Sequence, residues 1–156
     1  MIIEKFGGLY VNCDFECFKG VGELVKDFDL VISRENGSHG NIVNGFFAAI
    51  PNHPVISNTI KEGREKRIGS PIGVAILEIF GLRCLGRNLE NYVKNERFSD
   101  FQLGNKRGGA KTNNRVVIFD SWILFPYSYS EAPSVTEECY AAHHWDRSWW
   151  GLEGVS

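Results

Sequence analysis

Hydrophobic positions along the chain switch between a period of two and a period near four, and each switch marks an element. Leu9, Tyr10 and Val11 form an apolar run between Gly7-Gly8 and the polar stretch Asn12 to Glu16. Strand formers bounded by turn residues predict a short buried strand that delivers Asn12 and Asp14 to its tip. Cys17 to Lys26 reads as a turn and a short helix, and Phe28 to Ile32 as a second strand. Ser33 to Asn41 is polar and carries two glycines, which predicts a surface loop. Asn44 to Ile50 resumes as an extended segment, and Pro51-Asn52-His53-Pro54 ends it.

From Pro54 the period lengthens. Val55, Ile56 and Ile60 predict a helix that turns polar over Lys61 to Arg67. Ser70 as N-cap and Pro71 in the first turn lead into Ile72, Ala75, Ile76, Ile79 and Phe80, the best helical pattern in the chain, stopped by Gly81. Leu89, Tyr92 and Val93 predict another short helix within Gly86 to Arg97, and Gly104 to Asn114 reads as a loop. Arg115 to Phe119 is a strand by its β-branched content, and Ile123 to Pro126 a short extended piece. Tyr127 to Glu138 is loop-like, and Cys139 to Ala142 leads into the dense run His143-His144-Trp145-Asp146-Arg147-Ser148-Trp149-Trp150.

Composition narrows the classes. With 43% hydrophobic and 23% charged residues in 156, the chain suits one globular domain rather than a disordered segment. A formal charge of -2 lacks the basic footprint of a general nucleic-acid binder, and no apolar run is long enough to span a bilayer. Four cysteines without CxxC spacing point to a reducing, cytoplasmic compartment, with or without association to a membrane.

Candidate chemistry gathers at two places. A carboxylate at the tip of a central strand stands where an α/β protein holds its ligand, although Asp14 and Glu16 also suit a plain turn. His143 and His144 point to opposite sides of an extended segment, so only one of them can meet Asp14. Cys13, Cys17, Cys139 and His143 form a second option, a Cys3His zinc site, against which the spacing counts. Trp145 and Trp150 suit a hydrophobic flap, and the basic residues from Arg64 to Arg67 a solvated helix face.

These residues carry a resemblance. Phe6 to Glu16 resembles the Gly-Gly-hydrophobic-Tyr-hydrophobic-Asp-x-Asp signature of nucleotide-sugar glycosyltransferases of the α-1,6-mannosyltransferase, α-1,4-galactosyltransferase and capsular-polysaccharide type. Asn44-Gly45-Phe46-Phe47-Ala48 with His53-Pro54, then Gly69-Ser70-Pro71, then Ala142-His143-His144-Trp145 with Ser148-Trp149, resemble that family's later motifs in the same order. Two departures are visible. The first acidic position is Asn12, and Gly69-Ser70-Pro71 stands where the family has a Gly-Pro step.

The resemblance implies an α/β fold of GT-A type, a mixed sheet with flanking helices. Residues 1–156 would form a single glycosyltransferase-like domain, the carboxyl-terminal part of that fold, truncated at the N-terminal side. The family's nucleotide-binding βαβ region has no counterpart in Met1 to Lys5. It also implies transfer of a sugar from a nucleotide-sugar donor to a glycan or lipid acceptor, with retention of anomeric configuration. Mn²⁺ or Mg²⁺ would be held by Asp14 and His143, with His144 in reserve. Asn12, Asp14, Asn44, Gly45, Ser148 and Trp149 would contact the donor sugar and diphosphate. A complementing chain or a homo-oligomer would supply the absent region. The alternative is an inactive relative that binds glycan or serves as a partner-complemented subunit.

Overall fold

In the computed structural model, residues 2–36, 41–66, 82–128 and 130–145 are described. Their elements, in chain order, are α1 (Ile2–Phe6), β1 (Gly8–Val11), β2 (Phe15–Cys17), α2 (Gly22–Val25), β3 (Leu30–Arg34), β4 (Ile42–Ala49), α3 (Pro54–Lys66) and α4 (Leu82–Val93). There follow β5 (Phe98–Leu103), β6 (Lys106–Thr112), β7 (Val116–Phe119), a 3₁₀ turn (Ser121–Ile123) and β8 (Ala141–His143). Six strands form a mixed sheet in the order β1-β4-β3-β7-β6-β5, and β2 pairs with β8 as a separate ribbon. Only β3 and β7 run parallel; the other pairs of the large sheet are antiparallel. The class is α/β, a mixed sheet with flanking helices.

Both faces of the sheet are covered, which explains why β7 is buried along its whole length and β3 over Leu30 to Ser33. Leu30, Ile32, Val116 and Ile118 pack with Phe47 and Ala49 against Val55 and Ile56 of α3 and Leu85, Leu89 and Val93 of α4. Val31, Val117 and Phe119 point the other way, with Phe46, onto Leu24, Ile123, Leu124, Phe125 and Ala141. The i, i+4, i+8 spacing of Leu85, Leu89 and Val93 gives α4 one apolar stripe. Glu62 ties α3 to α4 by pairing with Arg87 and accepting from Asn88 Nδ2 at 2.8 Å. Among the described residues no helix is long and apolar enough to cross a membrane.

Several expectations change. The run Leu9 to Val11, expected to be buried and central, is an edge strand paired only with β4 among the described residues; Leu9 is 37% and Tyr10 43% exposed. Three apolar residues suit a half-covered edge as well as a core, so length alone could not separate the two. The glycine-rich stretch from Gly104 to Asn114, expected to be a loop, supplies β6. Its Gly109, at φ +148, lies against the backbone of β7, where a Cβ would stand 2.2 Å from Ile118 O and has no room. The piece expected to extend from Ile123 to Pro126 begins inside a 3₁₀ turn, and Phe15 to Cys17 forms β2, a strand not expected from the sequence. The helix expected over Ser70 to Phe80 lies outside the described residues.

The glycine pair has a local cause. Gly7 follows α1 at φ +68, with its N–H donating to Ile3 O at 2.9 Å, and a Cβ there would stand 2.8 Å from both Ala49 O and Pro51 Cδ. The chain passes from helix to edge strand against the backbone of β4, and only a hydrogen side chain fits. Gly7→Ala should therefore cost about 1–3 kcal/mol through strain at this φ and the clash with β4. Urea unfolding measures it; an unchanged midpoint would contradict this account of how β1 is seated.

Candidate functional site

β1 ends in a turn that reverses into β2. Asn12 N–H donates to Gly45 O at 2.8 Å, extending the β1–β4 ladder by one residue, and Phe15 N–H donates to Asn12 O at 3.3 Å. β8 then lies antiparallel to β2 with Phe15 opposite His143, and His144 N–H donates to Asp14 O at 2.8 Å. Two segments far apart in sequence are thus held side by side by main-chain bonds. The tip of the turn faces the end of β8.

β4 contributes an irregularity at the same place. Ile32 pairs with Phe47, but Ser33 pairs with Val43, so Asn44, Gly45 and Phe46 are looped out of register with β3. Bulges of this kind redirect side chains and recur beside functional sites. Gly45 lies under Asn12: a Cβ on it would meet Asn12 Nδ2 at 3.3 Å and Phe15 Cε2 at 3.4 Å. The position is small because the amide occupies that space.

His143 is the centre of the cluster. Its Nε2 lies 3.1 Å from Asp14 Oδ1 and 3.2 Å from Asn12 Nδ2. The residue is only 7% exposed, and its ring stands among the rings of Trp145, Phe15 and Phe125, with centroids 4.4, 4.9 and 5.7 Å away. Burial lowers its pKa from the ordinary histidine value, with Asp14 opposing that shift and His144 adding to it. His144 turns to the other side, with Nε2 3.1 Å from Glu16 Oε2 and Nδ1 3.2 Å from the Tyr127 hydroxyl.

Of the residues expected at a site, Asn12, Asp14, Gly45 and His143 come together. Asn44 adjoins Gly45 on β4 and is half-buried. The carbonyl oxygen of Asn12, expected to be available to a sugar, instead accepts from the Tyr10 hydroxyl at 2.9 Å. Ser148 and Trp149 lie outside the described residues. Trp145 packs against the core as expected, and its Nε1 donates to Tyr127 O at 3.0 Å. His53, part of a motif matched in sequence, is buried at the start of α3, where its Nδ1 accepts from Val55 N–H at 3.3 Å. Tyr10, Glu16 and Tyr127 were not among the expected residues, and no spacing rule marks them. They act through contacts that only the turn and the ribbon create.

The donor atoms fit a divalent cation held jointly with a ligand. Carboxylate oxygen and imidazole nitrogen suit Mn²⁺, and ligand atoms about 2.1 Å from an octahedral ion are about 3 Å apart along an edge. The Asp14–His143 separation is of that size. Among the described residues no group of three or more His, Cys, Asp and Glu side chains converges as a ligand set, so the remaining positions would fall to the ligand and water. The zinc option fails for the same reason, since Cys13, Cys17, Cys139 and His143 do not converge among the described residues and Cys139 is buried with its thiol donating to Trp122 O. No protein-family model matches the chain, and no curated protein matches it.

Burial lowers the pKa of His53 as well as His143, with Asp29 opposing at His53. Above a pH of about 6.5 both rings are neutral in folded and unfolded chains alike. Below it the unfolded chain takes up protons that the folded chain refuses, so stability falls with pH until the native pKa values are passed. The urea midpoint should decline from pH 7 to pH 5. An NMR titration that places both rings at or above 6.5 would contradict the burial account.

Proposed function

We propose that this chain is the sugar- and diphosphate-binding part of a retaining, metal-dependent glycosyltransferase of GT-A type, acting on a nucleotide-sugar donor and a glycan or lipid acceptor. The observation that carries the reading is the meeting of Asp14 and His143, 3.1 Å apart, beside Asn12 and Gly45. These four residues belong to three motifs far apart in sequence, which the resemblance assigns to one site. In this reading Asp14 and His143 hold Mn²⁺ or Mg²⁺. The ion neutralises the charge that develops on the leaving diphosphate. Asn44 faces the donor sugar, Gly45 makes room for the Asn12 amide beside it, and Ser148 and Trp149 contact the diphosphate.

A second reading has two observations in its favour. Asn12 presents an amide nitrogen, not a carboxylate, to His143, and β1 exposes Leu9 and Tyr10 along an edge flanked by the exposed Ile2 and Phe6. An apolar strand edge invites pairing with another chain. On this reading the protein is an inactive or partner-complemented subunit that retains glycan binding.

Calorimetry with Mn²⁺ and an assay of sugar-nucleotide hydrolysis separate the two. Asn12→Asp adds a negative charge beside Asp14 and should tighten Mn²⁺ by about tenfold, given an interaction of roughly 4 kcal/mol between close charges near a surface before desolvation reduces it. Hydrolysis should rise with it, and Asp14→Asn should abolish both. If Asn12→Asp binds Mn²⁺ no better than the parent and neither protein hydrolyses any sugar nucleotide, the second reading holds.

A further inference from the structure

The two edges of the large sheet are built differently. β5 closes one edge with Asp100, Gln102 and a register shift between Phe101 and Gln102, and charges and bulges of this kind keep an edge from pairing. β1 closes the other with Leu9, Tyr10 and Val11, with no charge, no proline and a regular register along β4. Among the described residues no strand pairs with its outer side. The phase of the β1–β4 ladder fixes which groups lie there. Asn12 N–H donates to Gly45 O, so Asn12, Tyr10 and Gly8 turn their main-chain groups inward, to Gly45, Phe47 and Ala49. The N–H and C=O of Leu9 and Val11 therefore face outward.

We propose that this edge pairs with β1 of a second copy of the chain, antiparallel about a two-fold axis through Tyr10, joining the two six-stranded sheets into one. The strand is its own complement. Its two outward-facing residues lie symmetrically on either side of Tyr10, so Leu9 of each copy exchanges both main-chain bonds with Val11 of the other, and the two Tyr10 residues stand opposite one another. An axis through Leu9 or Val11 would match one outward residue with itself and set the other against Gly7 or Cys13, beyond the ends of the strand. Charge follows the same arrangement. Lys5 stands before the strand and Glu16 after the turn that ends it, both exposed, so an antiparallel partner brings each end toward its opposite. The exposed Ile2 and Phe6 beside the edge add apolar surface that association would cover. The pairing uses no group of the Asp14–His143 cluster, so it stands or falls apart from the function proposed above.

Sedimentation equilibrium of the parent should show reversible association to a dimer and nothing larger, since the two-fold uses up both β1 edges. Leu9→Pro removes an outward N–H and no bond of the β1–β4 ladder, so it should weaken the dimer about tenfold or more while circular dichroism shows the fold kept. Cross-linking reads the register in protein that also carries Cys13→Ser and Cys17→Ser, which remove the two exposed native thiols. Tyr10→Cys should link two copies by a disulfide, because opposed residues without mutual hydrogen bonds have Cα atoms about 4.5 Å apart. Leu9→Cys should not, because the two Leu9 positions are offset by about two residues along the strands, beyond the ~7 Å reach of a disulfide. A parent that sediments as a monomer at its highest soluble concentration, or as a species larger than a dimer, overturns the proposal. So does a dimer that Leu9→Pro leaves equally tight, or one that Leu9→Cys links as readily as Tyr10→Cys. If Leu9→Pro does not fold, the two cysteine variants still decide the matter.

Discussion

The register of β2 against β8 is the constraint on which the site depends. Three residue pairs fix it, with Phe15 opposite His143, and main-chain bonds from His144 to Asp14 O and from Phe18 to Tyr140 O extend it at either end. A one-residue slip would exchange the faces of the ribbon and bring His144 to the place His143 now holds. Phe15 resists that slip. Its ring meets Phe46, Phe125 and His143 at 6.1, 5.1 and 4.9 Å, so moving it would open the core on that face of the sheet. Ala141 and Ala142 are fully buried, which lets the ribbon approach the 3₁₀ turn and the sheet closely. Packing therefore decides which histidine faces Asp14.

Two histidine–carboxylate pairs with different surroundings follow from that register. His143 and Asp14 are largely shielded from water, where an unbalanced charge is costly and every neighbouring donor counts. His144 and Glu16 stand near the surface, and an exposed pair of this kind contributes little to stability. Its use is geometric. His144 joins Glu16 on β2 to Tyr127, whose carbonyl accepts from Trp145, so the segment after the 3₁₀ turn is fastened to β8 beside the buried pair.

How far the sequence reveals this depends on the scale of the interaction. Period and β-branching located β3, β4, β7, α3 and α4 within a few residues, because each buries a stripe against a neighbour and the stripe is written locally. The same signals failed for β6, whose Gly109 reflects close approach to the backbone of β7, and for β1, where an edge and a core strand share the same short run. Motif order brought Asn12, Asp14, Gly45 and His143 onto one short list before any geometry was known. Tyr10 was visible as a strand former and as the tyrosine of the first motif, not for its hydroxyl. Its hydroxyl matters because the β1–β4 ladder sets it beside an amide two residues on, and the orientation of that amide is a property of the network.

Asparagine at position 12 changes two things at once, and their magnitudes differ. Compared with an aspartate it lacks a unit charge next to a carboxylate, and at 4 Å near a protein surface such a charge interacts by roughly 4 kcal/mol before desolvation. It also sets an amide 3.2 Å from His143 Nε2, a contact on the scale of an ordinary net hydrogen bond of about 0.5–1.5 kcal/mol. Of the two, the charge is the larger. On the function proposed above, the affinity of the site for a cation is therefore set mainly by the charge at position 12. The carboxylate of Asp14 and the imidazole of His143 keep their places in either case, because Phe15 and the ribbon register hold them there and the amide does not.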